Sequence, residues 1–216
     1  MRILVIGATG GAGQAIVREA LAQGREVTAL VRSQARAASL SPSAKLVEGD
    51  ALDPTVVSRA LDGCGAVISA LGTRQIKLFG QVTLMSDATR LLVSAMQSQQ
   101  VSRFVCITGL GAGDSVGHGG FVYDRLIRPV LLRTIYEDKD RQEAIIKDSS
   151  LDWVIVRPTV LNDKLATGRI RAITDLSGFR GGNISRADVA TFVVKQTIST
   201  DWLRKTPLIT EDIGKT

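Results

Sequence analysis

The chain has one histidine, two cysteines and few aromatic residues, which make up 4% of its 216 positions. A lone histidine, His118, rules out a multi-histidine metal site and any triad needing a second imidazole. Cys64 and Cys106 supply neither a disulfide framework nor a metal knuckle; they read as small core residues of a protein kept in a reducing compartment. With few aromatics, stacking platforms for nucleic acid are scarce, and the net charge of +6 is scattered rather than gathered into runs. No nucleic-acid partner is therefore expected, and an anionic small ligand accounts for part of the basic excess equally well. No apolar run approaches the roughly 18 residues needed to span a bilayer, so no membrane partner is expected either. "MRILVIGATGG" carries one charge and a short apolar run, and it reads as a buried strand rather than a signal-peptide core. The expectation is a cytoplasmic protein, monomeric or a small homo-oligomer, folded as a single domain over 1–216.

What is present is a regular alternation. "RILVI", "EVTALV", "KLVEG", "AVISAL", "RFVCIT" and "DWVIV" are short β-branched runs, hydrophobic at nearly every position, as strands buried on both faces of a parallel sheet are. Between them lie helical patterns: "GQAIVREALAQG", "TVVSRALDG" with Pro54 near its start, "SDATRLLVSAMQSQ" and "EDKDRQEAIIKDS". This order predicts an α/β fold, a doubly wound parallel sheet with helices on both faces. After Pro158 the pattern loosens into a strand "GRIRAIT", a helix opened by Ser185 and a last strand "TPLIT", a small C-terminal extension over 158–216 expected on the substrate side. The longest irregular stretch, "GLGAGDSVGHGG", follows the fifth strand. It reads either as part of a lid or binding segment over 109–135, or as a disordered glycine-rich loop with a helix behind it.

The first strand runs into "GATGGAG", with glycines at Gly7, Gly10, Gly11 and Gly13. Between a strand and a helix, Gly7 permits the tight turn, Gly10 lets a pyrophosphate approach the backbone, and Gly13 lets the helix pack closely. The helix N-terminus then offers unpaired N–H groups and a positive dipole end to phosphates, and Thr9 can add a hydroxyl. The second strand ends in Arg32 and Ser33, where a cofactor with a free ribose 2′-hydroxyl would want a carboxylate. A guanidinium there suits a 2′-phosphate, so NADP(H) is the expected cofactor. Asp50 either accepts from the adenine amino group or caps the helix that Pro54 opens.

"GATGGAGQAIV", "EVTALVRS", "LVEGDALD", "VISALGTR", "VTLMSDATRLLVSAM", "RFVCIT" and "SSLDWVIVRPTVLND" together resemble the atypical short-chain dehydrogenase/reductase family, nearest its flavin reductase/biliverdin-IXβ reductase branch. The resemblance runs in order along most of the chain and implies a Rossmann-like fold. It further implies that Gly7, Thr9, Gly10, Gly11 and Ala12 line the pyrophosphate, that Arg32 and Ser33 hold the 2′-phosphate, and that Asp50 and Ala51 hold the adenine. Leu71, Gly72, Thr73 and Arg74 would follow the ribose. Cys106, Thr108 and the stretch Pro158, Thr159, Val160 would border the nicotinamide, with Thr108 in the place of a strand-end serine.

Two departures qualify the resemblance. The Tyr-x-x-x-Lys pair of ordinary family members is replaced, because Tyr136 is followed at that spacing by Asp140 and Lys139 comes one position early. Lys139 either faces the cofactor or is a solvated helix charge. The branch's histidine beside the nicotinamide is also missing, with Val160 in its place, which argues against biliverdin as substrate. Candidate catalytic residues are Thr108, Tyr136 and Lys139. The expected activity is NADPH-dependent hydride transfer to a planar acceptor such as flavin or quinone, with ketone or imine reduction and non-catalytic NADP sensing of the NmrA type as alternatives.

Overall fold

The computed structural model describes residues 1–73 and 80–214. Six strands, β1 (Arg2–Ile6), β2 (Glu26–Val31), β3 (Lys45–Glu48), β4 (Ala66–Ser69), β5 (Arg103–Ile107) and β6 (Asp152–Pro158), pair in parallel in the order β3-β2-β1-β4-β5-β6. The order reverses at β1, whose Ile6 registers with Leu30 on one side and Ser69 on the other. β10 (Leu208–Glu211) extends the sheet parallel to β6, and β8 (Ile170–Ile173) closes it antiparallel to β10. The fold is Rossmann-like α/β, as the alternation predicts.

Both faces of each central strand are buried, which is why the runs are hydrophobic throughout. Ile3, Val5, Val105 and Val154 point to one face, under α1 (Gly11–Ala22) and α5 (Arg186–Lys195). Leu4, Ile6, Phe104, Cys106 and Trp153 point to the other, under α2 (Pro54–Leu61), α3 (Leu84–Ser98) and α4 (Arg133–Lys147). Both cysteines are buried and unpaired. Among the described residues no helix is long and apolar enough to cross a membrane.

Several elements depart from the sequence reading. Asp53, not Asp50, caps α2, its Oδ1 accepting from Thr55 N at 2.8 Å and Val56 N at 3.3 Å. Among the described residues the Asp50 carboxylate accepts only from Leu52 N in its own turn, because Pro54 at the first helical position makes the residue directly before it the cap. α4 begins at Arg133, a turn earlier than its charged stretch suggests. Its buried Asp138 accepts from Met85 N and Ser86 N, capping α3 from a neighbouring helix and fixing how α4 lies. The 109–135 stretch is built rather than shapeless, with a short 3₁₀ turn at Gly113–Ser115 and a π-helical segment at Tyr123–Leu131. A two-stranded parallel ribbon, β7 (Val160–Asn162) with β9 (Asn183–Ser185), has no counterpart in the sequence pattern, since three-residue strands carry no readable period.

Candidate active site

The glycine loop leaves β1 and enters α1 at the switch point. Gly7 has φ +79°, and a Cβ on it would come within 2.5 Å of the Ala70 carbonyl oxygen. A Cβ on Gly13 would strike the Gly7 carbonyl and Ala8 Cα. Neither position accepts a side chain, so α1 is drawn tightly onto the strand end. Gly10 is the N-cap of α1 and offers no side-chain cap, so the helix presents its first-turn N–H groups and dipole at the loop. A backbone cradle without side chains, opening on an uncapped helix N-terminus, fits a dinucleotide pyrophosphate. Thr9 and Ala12 flank it, half-buried. Arg32 is exposed at the end of β2 with Ser33 beside it, and Asp50 and Ala51 follow β3, so these four form a second rim. Leu71, Gly72 and Thr73 follow β4, while Arg74 lies outside the described residues.

A cavity of about 230 Å³ opens at the carboxyl ends of β5 and β6, lined among others by Thr108, Tyr136, Lys139, Pro158, Thr159 and Val160. Thus all three candidate catalytic residues meet at one place. Lys139 lies against the strand end, its Nζ donating to Thr108 O at 2.6 Å, and its ammonium is 4.8 Å from the centre of the Tyr136 ring. The solvated-charge reading of Lys139 is therefore set aside. Burial disfavours the charged form and lowers its pKa to about 8.

Tyr136 does not pair with this lysine in the manner of a Tyr–Lys couple. Its hydroxyl donates to Leu110 O at 2.8 Å and shares a short bond with the Tyr123 hydroxyl, the two rings meeting edge to face at 6.5 Å. Burial, and then Tyr123, push its pKa well above the ordinary phenol value. Gly109, with φ +144°, gives the room: a Cβ there would lie 3.3 Å from Lys139 Nζ and 3.7 Å from the Tyr136 hydroxyl. Cys106 is fully buried in the layer beneath α3 and α4, where burial raises its thiol pKa.

Glu143, Arg157 and Asp114 escape the sequence reading. Glu143 lies on α4 one turn beyond Lys139 and accepts the Thr108 hydroxyl at 2.8 Å. Arg157, 1% exposed, grips Glu143 through Nε at 3.0 Å and Nη2 at 2.6 Å and also pairs with Asp114. The available signal was spacing: positions 136, 139 or 140, and 143 fall on one helical face.

Fold, glycine cradle and cavity define an NAD(P)-binding protein of the oxidoreductase type, in the manner of the atypical short-chain dehydrogenase/reductases. The chain belongs to the NAD(P)H-binding family, which matches residues 7–199. It is 29% identical over 203 residues to YhfK of Bacillus subtilis (strain 168), an uncharacterized sugar epimerase, covering 90% of this chain and 86% of that protein. It is 30% identical over 158 residues to the photosystem II assembly factor Ycf39 of Cyanophora paradoxa, covering 73% of this chain but only 44% of that protein. Among solved structures, the anaerobilin reductase ChuY of Escherichia coli O157:H7 superposes with a TM-score of 0.83 at 27% identity, over 100% of both chains.

Proposed function

We propose that the chain is an NADPH-dependent reductase that delivers hydride to a planar, conjugated acceptor such as a flavin or quinone. The observation that carries this reading is the cavity itself. It opens at the strand ends beside the cofactor cradle, is walled by an edge-to-face tyrosine pair, and has its phenol hydroxyl already engaged with Leu110 O. Chemistry that draws little on a protein acid suits such a site. The likeness to an anaerobilin reductase supports a reductase with an extended acceptor. Val160, 61% exposed at the cavity rim where the branch carries histidine, weighs against biliverdin.

In this reading the bound dinucleotide supplies the hydride. Gly7 to Ala12 hold its pyrophosphate, Arg32 and Ser33 its 2′-phosphate, and Asp50 and Ala51 its adenine. Leu71 to Thr73 follow the ribose, and Thr108 and Pro158 to Val160 surround the nicotinamide end, whereas Cys106 is fully buried in β5 and does not line the cavity. The segment 109–135 is the lid, since Phe121, Val122, Leu126 and Val130 leave apolar side chains exposed beside the cavity that Tyr123 lines. One domain spans 1–216, with 158–216 on the substrate side. The buried, unpaired cysteines suit a reducing, cytoplasmic setting.

A second reading, reduction of a ketone or imine, is favoured by one observation: Lys139 Nζ lines the cavity with a pKa lowered to about 8, suited to releasing a proton near neutrality. Anaerobic NADPH oxidation by the purified protein, with FMN, riboflavin, menadione, anaerobilin, biliverdin and a carbonyl panel, separates these readings. Flavin or quinone turnover with NADPH strongly preferred over NADH is the expected result. Turnover of carbonyls alone would favour the second reading. Tight NADPH binding without any turnover would overturn both and leave a cofactor-sensing regulator.

A further inference from the structure

Gly11 is not explained by the loop's own geometry. Its φ is not in the left-handed region, it begins an ordinary helix, and glycine there costs helix stability relative to alanine. The space that its side chain would fill is held by Arg186. A Cβ on Gly11 would lie 2.8 Å from Arg186 Nε, 3.1 Å from Cδ and 3.6 Å from Cζ, and would meet nothing else within 4 Å as closely.

Arg186 comes from the far side of the chain. It is the first residue of α5, placed by the Ser185 N-cap, whose Oγ accepts from Asp188 N at 2.9 Å and donates to Asp188 Oδ2 at 2.7 Å. Ser185 in turn ends β9, whose partner β7 carries the cavity residues Val160 and Leu161. The guanidinium therefore lies between the N-terminus of α1 and the wall of the nicotinamide end. Among the described residues its one hydrogen bond is to Asp163, Nη1 to Oδ1 at 2.7 Å, and Asp163 is 86% exposed at the end of β7. An ion pair with so exposed a carboxylate is weak and easily exchanged. A diphosphate offers more charge, and oxygens spaced for a guanidinium fork.

We propose that Arg186 is a phosphate-binding residue of the cofactor site. The guanidinium turns from Asp163 to the dinucleotide diphosphate at the start of α1, and position 11 is glycine so that this path stays open. Its role differs from that proposed for Arg32: a diphosphate contact serves NADH and NADPH alike, whereas a 2′-phosphate contact serves NADPH alone. The inference rests on the family's dinucleotide binding and not on the nature of the acceptor.

Calorimetric titration of the full chain with NADPH and with NADH, at low and high salt, tests it in wild type, R186M, D163N and G11A, with thermal melts taken without cofactor. R186M is expected to bind both dinucleotides about ten-fold more weakly or worse, as loss of a charge-assisted bond implies, and to lose part of the salt dependence. G11A is expected to weaken both while melting no lower than wild type. D163N is expected to bind at least as tightly as wild type, because a competitor for the guanidinium is gone. If R186M and D163N weaken binding together and lower the melting temperature alike, the pair is a strap between β7 and α5 and the proposal fails. Unchanged affinity in R186M also overturns it. A wild-type chain that binds neither dinucleotide would overturn the cofactor assignment along with it, whereas binding without turnover would overturn only the acceptor reading.

Discussion

Thr108 Oγ1 donates its proton to Glu143 Oε1 at 2.8 Å, and Arg157 holds both oxygens of that same carboxylate. The hydroxyl at the end of β5 is thereby turned: its proton is committed to α4, and what it offers the cavity is a lone pair. Thr108 can accept a bond from a carboxamide N–H, but in this arrangement it has no proton to give an acceptor oxygen. The same triad ties β5, α4 and β6 together directly behind the cavity, so the floor of the site and its polar network are one construction.

Removing the guanidinium from this network leaves the buried Glu143 carboxylate with only the partly exposed Lys147 ammonium, 3.2 Å from Oε2, as counter-charge. Arg157→Met is expected to cost about 3–5 kcal/mol. At roughly 2–4 °C per kcal/mol for a chain of this size, that is a large fall in melting temperature. The double variant Arg157→Met/Glu143→Leu should recover much of it, because no charge is then stranded. Burial alone would raise the Glu143 carboxyl, yet Arg157 outweighs it and holds the pKa below the ordinary 4.5. A group depressed in this way stabilises the fold fully above its unfolded pKa and loses that contribution as pH falls through the folded value. Acid melts should accordingly be steeper for wild type below about pH 4.5 than for Glu143→Gln. Equal melts for wild type and Arg157→Met would refute the account.

Tyr136→Phe tests whether the phenol takes part in proton transfer at all. The phenol is bonded to Leu110 O and the Tyr123 hydroxyl, and burial followed by Tyr123 raises its pKa, so it is a poor proton donor in this setting. The variant should lose about 0.5–1.5 kcal/mol of stability, the net worth of a hydrogen bond, while kcat for flavin or quinone stays within a factor of about two. A collapse of kcat by about a hundred-fold or more would make the phenol a general acid and return the chain to Tyr-based catalysis.

How far these arrangements could be read in advance depended on whether the signal was local. The six parallel strands and the loop around Gly7 and Gly13 were readable, because each rests on a run of adjacent residues whose physics is self-contained. In the second rim, Arg32, Ser33 and Asp50 were readable from strand ends, while Ala51 came from the family resemblance. What could not be read was tertiary: Asp138 capping α3 from α4, Arg157 reaching Glu143 and Asp114, and Arg186 filling the space above Gly11. In each case a polar group answers a need created elsewhere in the chain, and no short-range pattern records it. Lys139 was readable as a residue near the site but not as a half-buried one held by its ammonium, since the carbonyl that holds it, Thr108 O, lies on another element.

Arg32→Ala tests the cofactor preference. Arg32 is exposed at the end of β2, where a guanidinium can pair bidentately with a 2′-phosphate. Affinity for NADPH should fall about ten-fold or more, at roughly 1.4 kcal/mol per decade, while NADH is scarcely affected. Parallel titrations with both dinucleotides check it. Equal losses for both would mean that Arg32 does not read the 2′-phosphate.

Lys139 gives the sharpest dependence on pH. Burial lowers its pKa from 10.5 to about 8, so the ammonium persists below that value and is neutral above it. Between these two values the unfolded chain holds more protons at this site than the folded one, so Lys139 adds a rise in stability with pH across that window. The buried Cys64 and Cys106 thiols, their pKa values raised, superimpose the opposite trend above about pH 9. Lys139→Met, with nothing to titrate, should show no such rise. The catalytic consequence has the opposite sense. If Lys139 Nζ supplies the proton to a carbonyl or imine, kcat should fall about ten-fold per pH unit above the pKa of the complex, and the variant should lose that limb along with most of its rate. If the acceptor is a flavin or quinone that takes its proton from water, the wild-type profile stays flat through that range, and the variant changes the melting curve far more than the rate. Stopped-flow hydride transfer and thermal melts across pH 6 to 10.5, on the same two proteins, therefore read the structural and chemical roles of one ammonium independently.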